Sequence, residues 1–340
     1  MIGLVQRVRQ ASVTVDGAVV GAIGPGLLLL VCAEPAATEI QAAEAEVLEV
    51  ERGIASAARQ SVVNILSVRE RRNLLKQQVD LANQFTAFLT EVAAKGEGSS
   101  IDAGQAKLEA NSLALEIRQI AAGEIALLGE LKPLLGMKPG DSLVVSGSLP
   151  VAELPAASSD PSRRPDYQIS RLEEKAAAQG VAIEQSKRRE DIEGGLFAAG
   201  ERTEDAPNGY ENEAVIGVRF KFPLPFWNKN EGAIQEAEAR KLRKQKERSA
   251  LAANIGLEAE AARAEMKQWA DILREIQDTL LPLAEEQATL AETTYRNGQG
   301  EIQSVLRSRE KRLELAASRL DALREFHLAR VRHDAALGKP

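Results

Sequence analysis

The chain has 340 residues, enough for two ordinary domains, yet only 4% are aromatic while 27% are charged. That balance disfavours a large compact core and favours long paired helices. A formal net charge of −7 argues against a nucleic-acid surface, and a single cysteine, Cys32, excludes an internal disulfide framework.

Residues 1–34 read as a separate, short β-rich fragment. Val13-Thr14-Val15 and Ala18-Val19 flank an Asp16-Gly17 turn, and Leu27 to Val31 reads as a third, buried strand. Leu27 to Ala33 is the longest apolar run and is too short to span a membrane as a helix. Arg7 and Arg9 lead into Thr14 and Asp16 rather than into the apolar stretch of a secretory signal. The run MIGLVQRVRQASVTVDGAVVGAIGPGLLLLV resembles the amino terminus of D-aminoacyl-tRNA deacylases. In that family a Ser-Gln-Phe-Thr motif and a Gly-Pro motif cradle the D-amino acid. The nearest match here, Asn83-Gln84-Phe85-Thr86, lacks the serine and lies in a long helical run, so Gln84 and Thr86 are expected to be ordinary helix positions.

After Pro35 the composition turns to Ala, Glu, Gln, Arg and Leu, with no proline until Pro133. Residues 35–137 therefore read as a helical hairpin, with Leu74, Leu81, Phe85, Phe88 and Val92 at helical spacing and a break at Gly96-Glu97-Gly98-Ser99-Ser100. Residues 138–164, rich in Pro, Ser, Gly and Asp, read as a connector with a short strand over Ser142 to Val145.

A change of period marks residues 191–225, which read as a β-hairpin. In Ala214 to Leu224 the apolar Ile216, Val218, Phe220 and Phe222 alternate with Gly217, Arg219 and Lys221. A transmembrane strand of about 9 to 11 residues alternates in this way, so Ile216, Val218, Phe220 and Phe222 are expected to face lipid, and Arg219, Lys221 and Glu193 the lumen. The polar stretch GERTEDAPNGYEN between the strands reads as an outer loop, and Pro223 and Pro225 end the second strand.

Residues 230–338 form a second helical hairpin, and its plan repeats the first at an offset of 202 residues: Gly96 matches Gly298, Gly98 matches Gly300, and Leu135-Gly136 matches Leu337-Gly338. Ile255, Ala262, Met266, Trp269, Leu273, Ile276, Leu280 and Leu283 mark one coiled-coil seam, and Leu306, Leu313 and Leu320 recur every seven residues. Pro282 is expected to kink its helix. The two histidines, His327 and His333, are six residues apart and do not share a helix face, so they cannot form the i,i+4 pair of a helical zinc site. No catalytic, cofactor or metal constellation is read from the residues.

Arg164-Pro165-Asp166, Asp191-Ile192-Glu193-Gly194-Gly195, Pro223-Leu224-Pro225-Phe226, Asn228-Lys229-Asn230-Glu231-Gly232 and Tyr295-Arg296-Asn297-Gly298 together resemble the second repeat of the TolC-type outer-membrane efflux family, in its heavy-metal and multidrug branch. Residues 36 to 137 resemble the later part of its first repeat, including Gly96 to Asp102. The resemblance implies a mainly α fold of two repeats of long antiparallel coiled-coil hairpins with one transmembrane-type β-hairpin. It implies a homotrimer whose strands form an outer-membrane barrel and whose helices form a periplasmic tunnel. The implied role is passive, non-enzymatic efflux of a metal ion or drug, fed by an inner-membrane efflux pump through a periplasmic adaptor protein. By the same resemblance Gly96, Gly98, Ser99, Asp102, Arg296, Asn297, Gly298, Gln299 and Gly300 lie at the periplasmic tip and contact the adaptor. The family's signal peptide, first helices and first β-hairpin have no counterpart before residue 35, so a fused or truncated frame with impaired export is expected. Two other functions stay open: a soluble coiled-coil scaffold, and a deacylase acting through residues 1–34.

Overall fold

The computed structural model describes the backbone of residues 2–8, 11–15, 18–23, 26–32, 34–188, 193–205, 209–221 and 229–339, and side chains within 40–188, 216–218 and 229–339. The chain is mainly α and divides into two compact units, Met1–Ala45 with Gln168–Ala250, and Glu46–Tyr167 with Leu251–Pro340.

The first unit carries three two-stranded antiparallel sheets. Strands β1 (Ile2–Val8) and β4 (Gly26–Cys32) pair with each other, as do β2 (Ala11–Val15) and β3 (Ala18–Ile23). The Asp16-Gly17 turn lies outside the described residues. β5 (Glu193–Asp205) and β6 (Gly209–Lys221) form the long hairpin. Its ladder runs through much of the polar stretch expected as a loop, to Asp205 opposite Gly209. Continuing the ladder satisfies backbone donors and acceptors whatever the side chains carry. Also in this unit, α3 (Pro165–Ser186, from Gln168 on) pairs with the start of α4 (Glu231–Glu275) through Lys244 with Glu173 at 3.0 Å and Arg248 with Glu174 at 2.8 Å.

The second unit holds the two helical hairpins from Glu46 and from Leu251 on. α1 (Glu34–Ala94) is a single helix of 61 residues that reverses into α2 (Ser100–Leu134). A run of strong helix formers with Gly53 as its lone glycine sustains that length. α4 continues through a π turn (Ile276–Leu280) into α5 (Leu281–Arg296), which reverses into α6 (Ile302–Ala336). α2 and α6 both have 35 residues, starting 202 residues apart. The repeat extends to single hydrogen bonds. Gly136 N–H donates to Pro133 O and Met137 N–H to Lys132 O, while Gly338 N–H donates to Ala335 O and Lys339 N–H to Asp334 O.

Three expectations, at Leu283, along α1 and in the connector, need correction. Pro282 cannot donate, and its ring crowds the carbonyl four residues back; the helix widens into the π turn ahead of it. That extra residue per turn resets the seam, so Ile276, Ala284 and Ala288 are buried while Leu283 is 53% exposed. Over the expected seam of α1, residues 74–92, the buried positions are Leu75, Ala82, Phe85 and Leu89, with Leu81 exposed, so the seam runs one residue beyond the expected Leu74 and Leu81. The connector has no strand at Ser142 to Val145. Its backbone is bonded by helix side chains instead: Arg69 donates to Val145 O, Leu149 N–H donates to Glu70 Oε1 at 3.0 Å, and His327 Nε2 meets Pro150 O at 2.9 Å.

Candidate functional site

Both helix reversals end in the same cap. At the first, Gly96 N–H donates to Ala93 O at 3.0 Å and Glu97 N–H to Val92 O at 3.1 Å; at the second, Gly298 N–H donates to Tyr295 O at 2.9 Å and Gln299 N–H to Thr294 O at 3.0 Å. This 5→2 and 6→1 pattern requires a left-handed residue after the helix, supplied by Gly96 at φ 78° and Gly298 at φ 72°. Ser99 then caps α2, its Oγ accepting from Ile101 N–H at 3.1 Å.

Behind the caps the two reversals are fastened to each other. Tyr295 Oη donates to Asp102 Oδ2 at 2.7 Å, and Gln303 Nε2 donates to Gln105 Oε1 at 3.0 Å. Burial, and then the bond to Asp102, push the Tyr295 phenol up to about 12. Phe85, Leu89, Ala106, Ile302 and Val305 form the buried core beneath, with Phe88 and Tyr295 packed on it. The Phe85 ring lies 6.4 Å from Phe88 and 6.0 Å, edge-on, from Tyr295. Arg309 covers Phe85 at 4.2 Å and Arg296 covers Phe88 at 4.4 Å, and both guanidiniums hold Glu292. Burial works to raise the Glu292 carboxyl, but the bonds from Arg309 and Arg296 bring it below its ordinary value.

The structure therefore brings the expected tip residues together. Gly96, Gly98, Ser99, Arg296, Asn297, Gly298, Gln299 and Gly300 are exposed, whereas Asp102 is half-buried and engaged by Tyr295. Sequence reasoning placed Phe85 and Phe88 on a helix seam and Tyr295 in a resembling motif, but did not foresee that these rings, with Glu292 and Arg309, lock the two reversals. The signal was available: in a chain with seven Phe and three Tyr, three of these rings fall within about three turns of the two glycines.

In the long hairpin, Leu196 pairs with Val218 and Ala198 with Ile216, while Glu193 pairs with Lys221 and Gly195 with Arg219. Directly opposed residues share a sheet face, so Ile216, Val218 and Phe220 are on one face and Glu193, Arg219 and Lys221 on the other. Ile216 is 85% and Val218 57% exposed. Phe222 lies outside the described residues.

A second polar cluster fixes the connector. Buried Glu124 on α2 receives Arg69 Nε at 2.5 Å and Arg72. Arg164, also buried, donates to Asp166 Oδ1 at 2.9 Å and to Glu258 Oε2 at 2.7 Å. His327 and His333 are both buried and separate; burial holds the His327 imidazole below its usual value, against the bond to Pro150. Among the described residues no group of three or more His, Cys, Asp or Glu is placed to hold a metal ion.

Known proteins match the chain in two ways. A family model described as D-Tyr-tRNA(Tyr) deacylase matches residues 4–86. D-aminoacyl-tRNA deacylases of Ralstonia nicotianae and Acidovorax ebreus are 69% and 67% identical over 42 residues, 12% of this chain and 25% and 28% of theirs. The chain thus spans about a quarter of the length of these curated relatives. Within the model's match Phe85 is core, and Thr86 Oγ1 donates to Ala82 O at 2.8 Å inside α1, so Gln84 and Thr86 are helix positions as expected. Among solved structures, the outer-membrane protein VceC of Vibrio cholerae is similar at TM-score 0.67 and 17% identity, over 99% of this chain and 87% of that one. The outer-membrane channel OprN matches at 0.70 and 16%, over 100% and 82%. The MtrE outer-membrane channel of Neisseria gonorrhoeae, in its open state, matches at 0.67 and 13%, over 99% and 81%.

Proposed function

We propose that this chain, which has the fold of the TolC-type outer-membrane channels, is a subunit of an outer-membrane efflux duct. In this reading the long β-hairpin contributes to a barrel in the outer membrane and the helical hairpins contribute to a periplasmic tunnel. The subunit is passive: it conducts a metal ion or drug delivered by an inner-membrane pump through a periplasmic adaptor. The observation that carries the reading is the likeness to an outer-membrane channel over the whole of this chain.

Two features support it. The hairpin strands reach 13 residues each, with apolar Ile216 and Val218 exposed on one face and Arg219 on the other, the alternation that lipid outside and water inside require. On α2, Ile101, Leu108 and Leu115 recur every seven residues and are 70%, 71% and 55% exposed, an apolar edge that a neighbouring copy in a homotrimer would cover. The exposed glycine reversals are then the surface offered to the adaptor.

The test is a pair of substitutions in β6. An arginine facing lipid near the membrane midplane costs about 2–4 kcal/mol. Val218→Arg is expected to lower recovery of detergent-solubilised oligomer, whereas Arg219→Ala leaves assembly intact and alters single-channel conductance. Unchanged assembly in Val218→Arg would remove the membrane assignment. The deacylase reading has the 42-residue identity in its favour; its test is D-aminoacyl-tRNA hydrolysis by the purified chain.

A further inference from the structure

Two carboxylates in the bundle behind the reversals stand outside its ion pairs. Glu109 on α2 lines two neighbouring grooves, of ≈ 290 and ≈ 390 Å³, and Glu310 on α6 lines the same two. The cations of these grooves make their hydrogen bonds and ion pairs to other groups, and Arg309 reaches Glu109 only through its charge. Arg296 and Arg309 hold Glu292 between α5 and α6. Arg312 of α6 donates to Gln78 of α1 at 2.7 Å, and Arg71 of α1 pairs with Glu116 of α2 at 3.3 Å and Asp321 of α6 at 3.6 Å. The remaining carboxylate of the grooves, Glu314, is held by Lys311 at 2.8 Å. Among the described residues no hydrogen bond or ion pair reaches the side chain of Glu109 or of Glu310.

We propose that Glu109 and Glu310 are a proton-operated contact between the two helical hairpins, closing α2 against α6 when Glu109 is protonated and loosening them when both carboxylates are charged. A half-buried carboxylate without a donor loses hydration on folding that a cation bonded elsewhere offsets only in part, and a like charge across the groove adds to that cost. Burial pushes the Glu109 carboxyl up from its ordinary value; Arg309 draws it down and Glu310 pushes it further up. The sign follows. A folded-state value above the unfolded one gives a stabilising contribution that is complete below the unfolded value and lost as pH rises through the folded one. The grooves thus tighten in acid and slacken toward neutrality. If the duct reading holds, the tunnel mouth opens more readily at neutral pH than at acid pH.

The contact is tested on the full chain in detergent by hydrogen exchange read by mass spectrometry, at about pH 4, below the ordinary glutamate value, and at about pH 7.5, well above it. After correction for intrinsic exchange, peptides covering 103–117 and 303–317 are expected to open several-fold more at the higher pH. Glu109→Gln is expected to hold them closed at both. Glu310→Gln, which leaves Glu109 in place, is expected to move the midpoint of the wild-type change to lower pH, so the contact stays testable if Glu109→Gln does not fold. A wild type that opens equally at both pH values, or a Glu109→Gln protein with the wild-type pH response, overturns the proposal. Exchange is read without transport, so a chain that conducts nothing can still pass or fail this test.

Discussion

Gly136 and Gly338 occupy equivalent positions in the two repeats, with φ of 67° and 62°, but their surroundings differ. A Cβ at Gly136 meets open space, while one at Gly338 falls 2.8 Å from both the carbonyl carbon and oxygen of Arg163. Gly136→Ala is therefore expected to cost only the left-handed backbone, about 1 kcal/mol. Gly338→Ala also pushes the end of α6 off the start of α3 beside Arg164, and should cost about 1–3 kcal/mol more. Chemical denaturation of the two variants checks the order; equal losses would mean that the contact with Arg163 yields freely. His327 gives a pH prediction at the same scale. Burial holds it neutral in the fold, so its contribution is complete above the unfolded imidazole value and is lost as pH falls through the folded one. His327→Gln, which retains a donor for Pro150 O, should flatten the fall in melting temperature between about pH 7.5 and about pH 5.5. An unchanged slope would place acid sensitivity elsewhere.

The helical hairpins are held together at their reversals by few side chains, and Phe85 is central to them. Phe85→Ala removes the ring beneath Arg309 and beside Phe88 and Tyr295, and is expected to cost about 3–5 kcal/mol. Tyr295→Phe removes one hydrogen bond and leaves Asp102 half-buried, for about 1–3 kcal/mol. Replacing Gly96 and Gly298 together with valine should weaken adaptor cross-linking more than oligomer recovery if the reversals are the docking surface; equal losses would leave them a purely structural turn. Much of this element-level plan was legible. Two glycines at a fixed offset announce two reversals, because helices of this composition stop only where the backbone must turn left-handed. The seam was less legible. Leu74, Leu81 and Leu283 satisfy the spacing rule, but neighbouring registers satisfy it nearly as well. The π turn before Pro282 shifts the register by an amount that local composition does not encode. The fastening between the reversals was hidden because Asp102 and Tyr295 are 193 residues apart and meet only through tertiary packing.

For the whole molecule, the deacylase match stays within the amino-terminal quarter, whereas the fold relatives cover nearly all of the chain. The 42-residue identity with deacylases rests on a stretch whose family model ends at Thr86, inside a 61-residue helix. There the Thr86 hydroxyl donates to its own helix and Phe85 is closed into a core, so both side chains are used by the helical hairpin. The likeness to outer-membrane channels spans 99–100% of the chain, α1 to α6 and the β-hairpin between α3 and α4 included. Fractionating cells that express the full chain tests the central claim most directly. The duct reading predicts a trimer that sediments with the outer membrane, requires detergent for release, and opens pores in planar bilayers. A stable elongated oligomer that stays in the soluble fraction without detergent would contradict it.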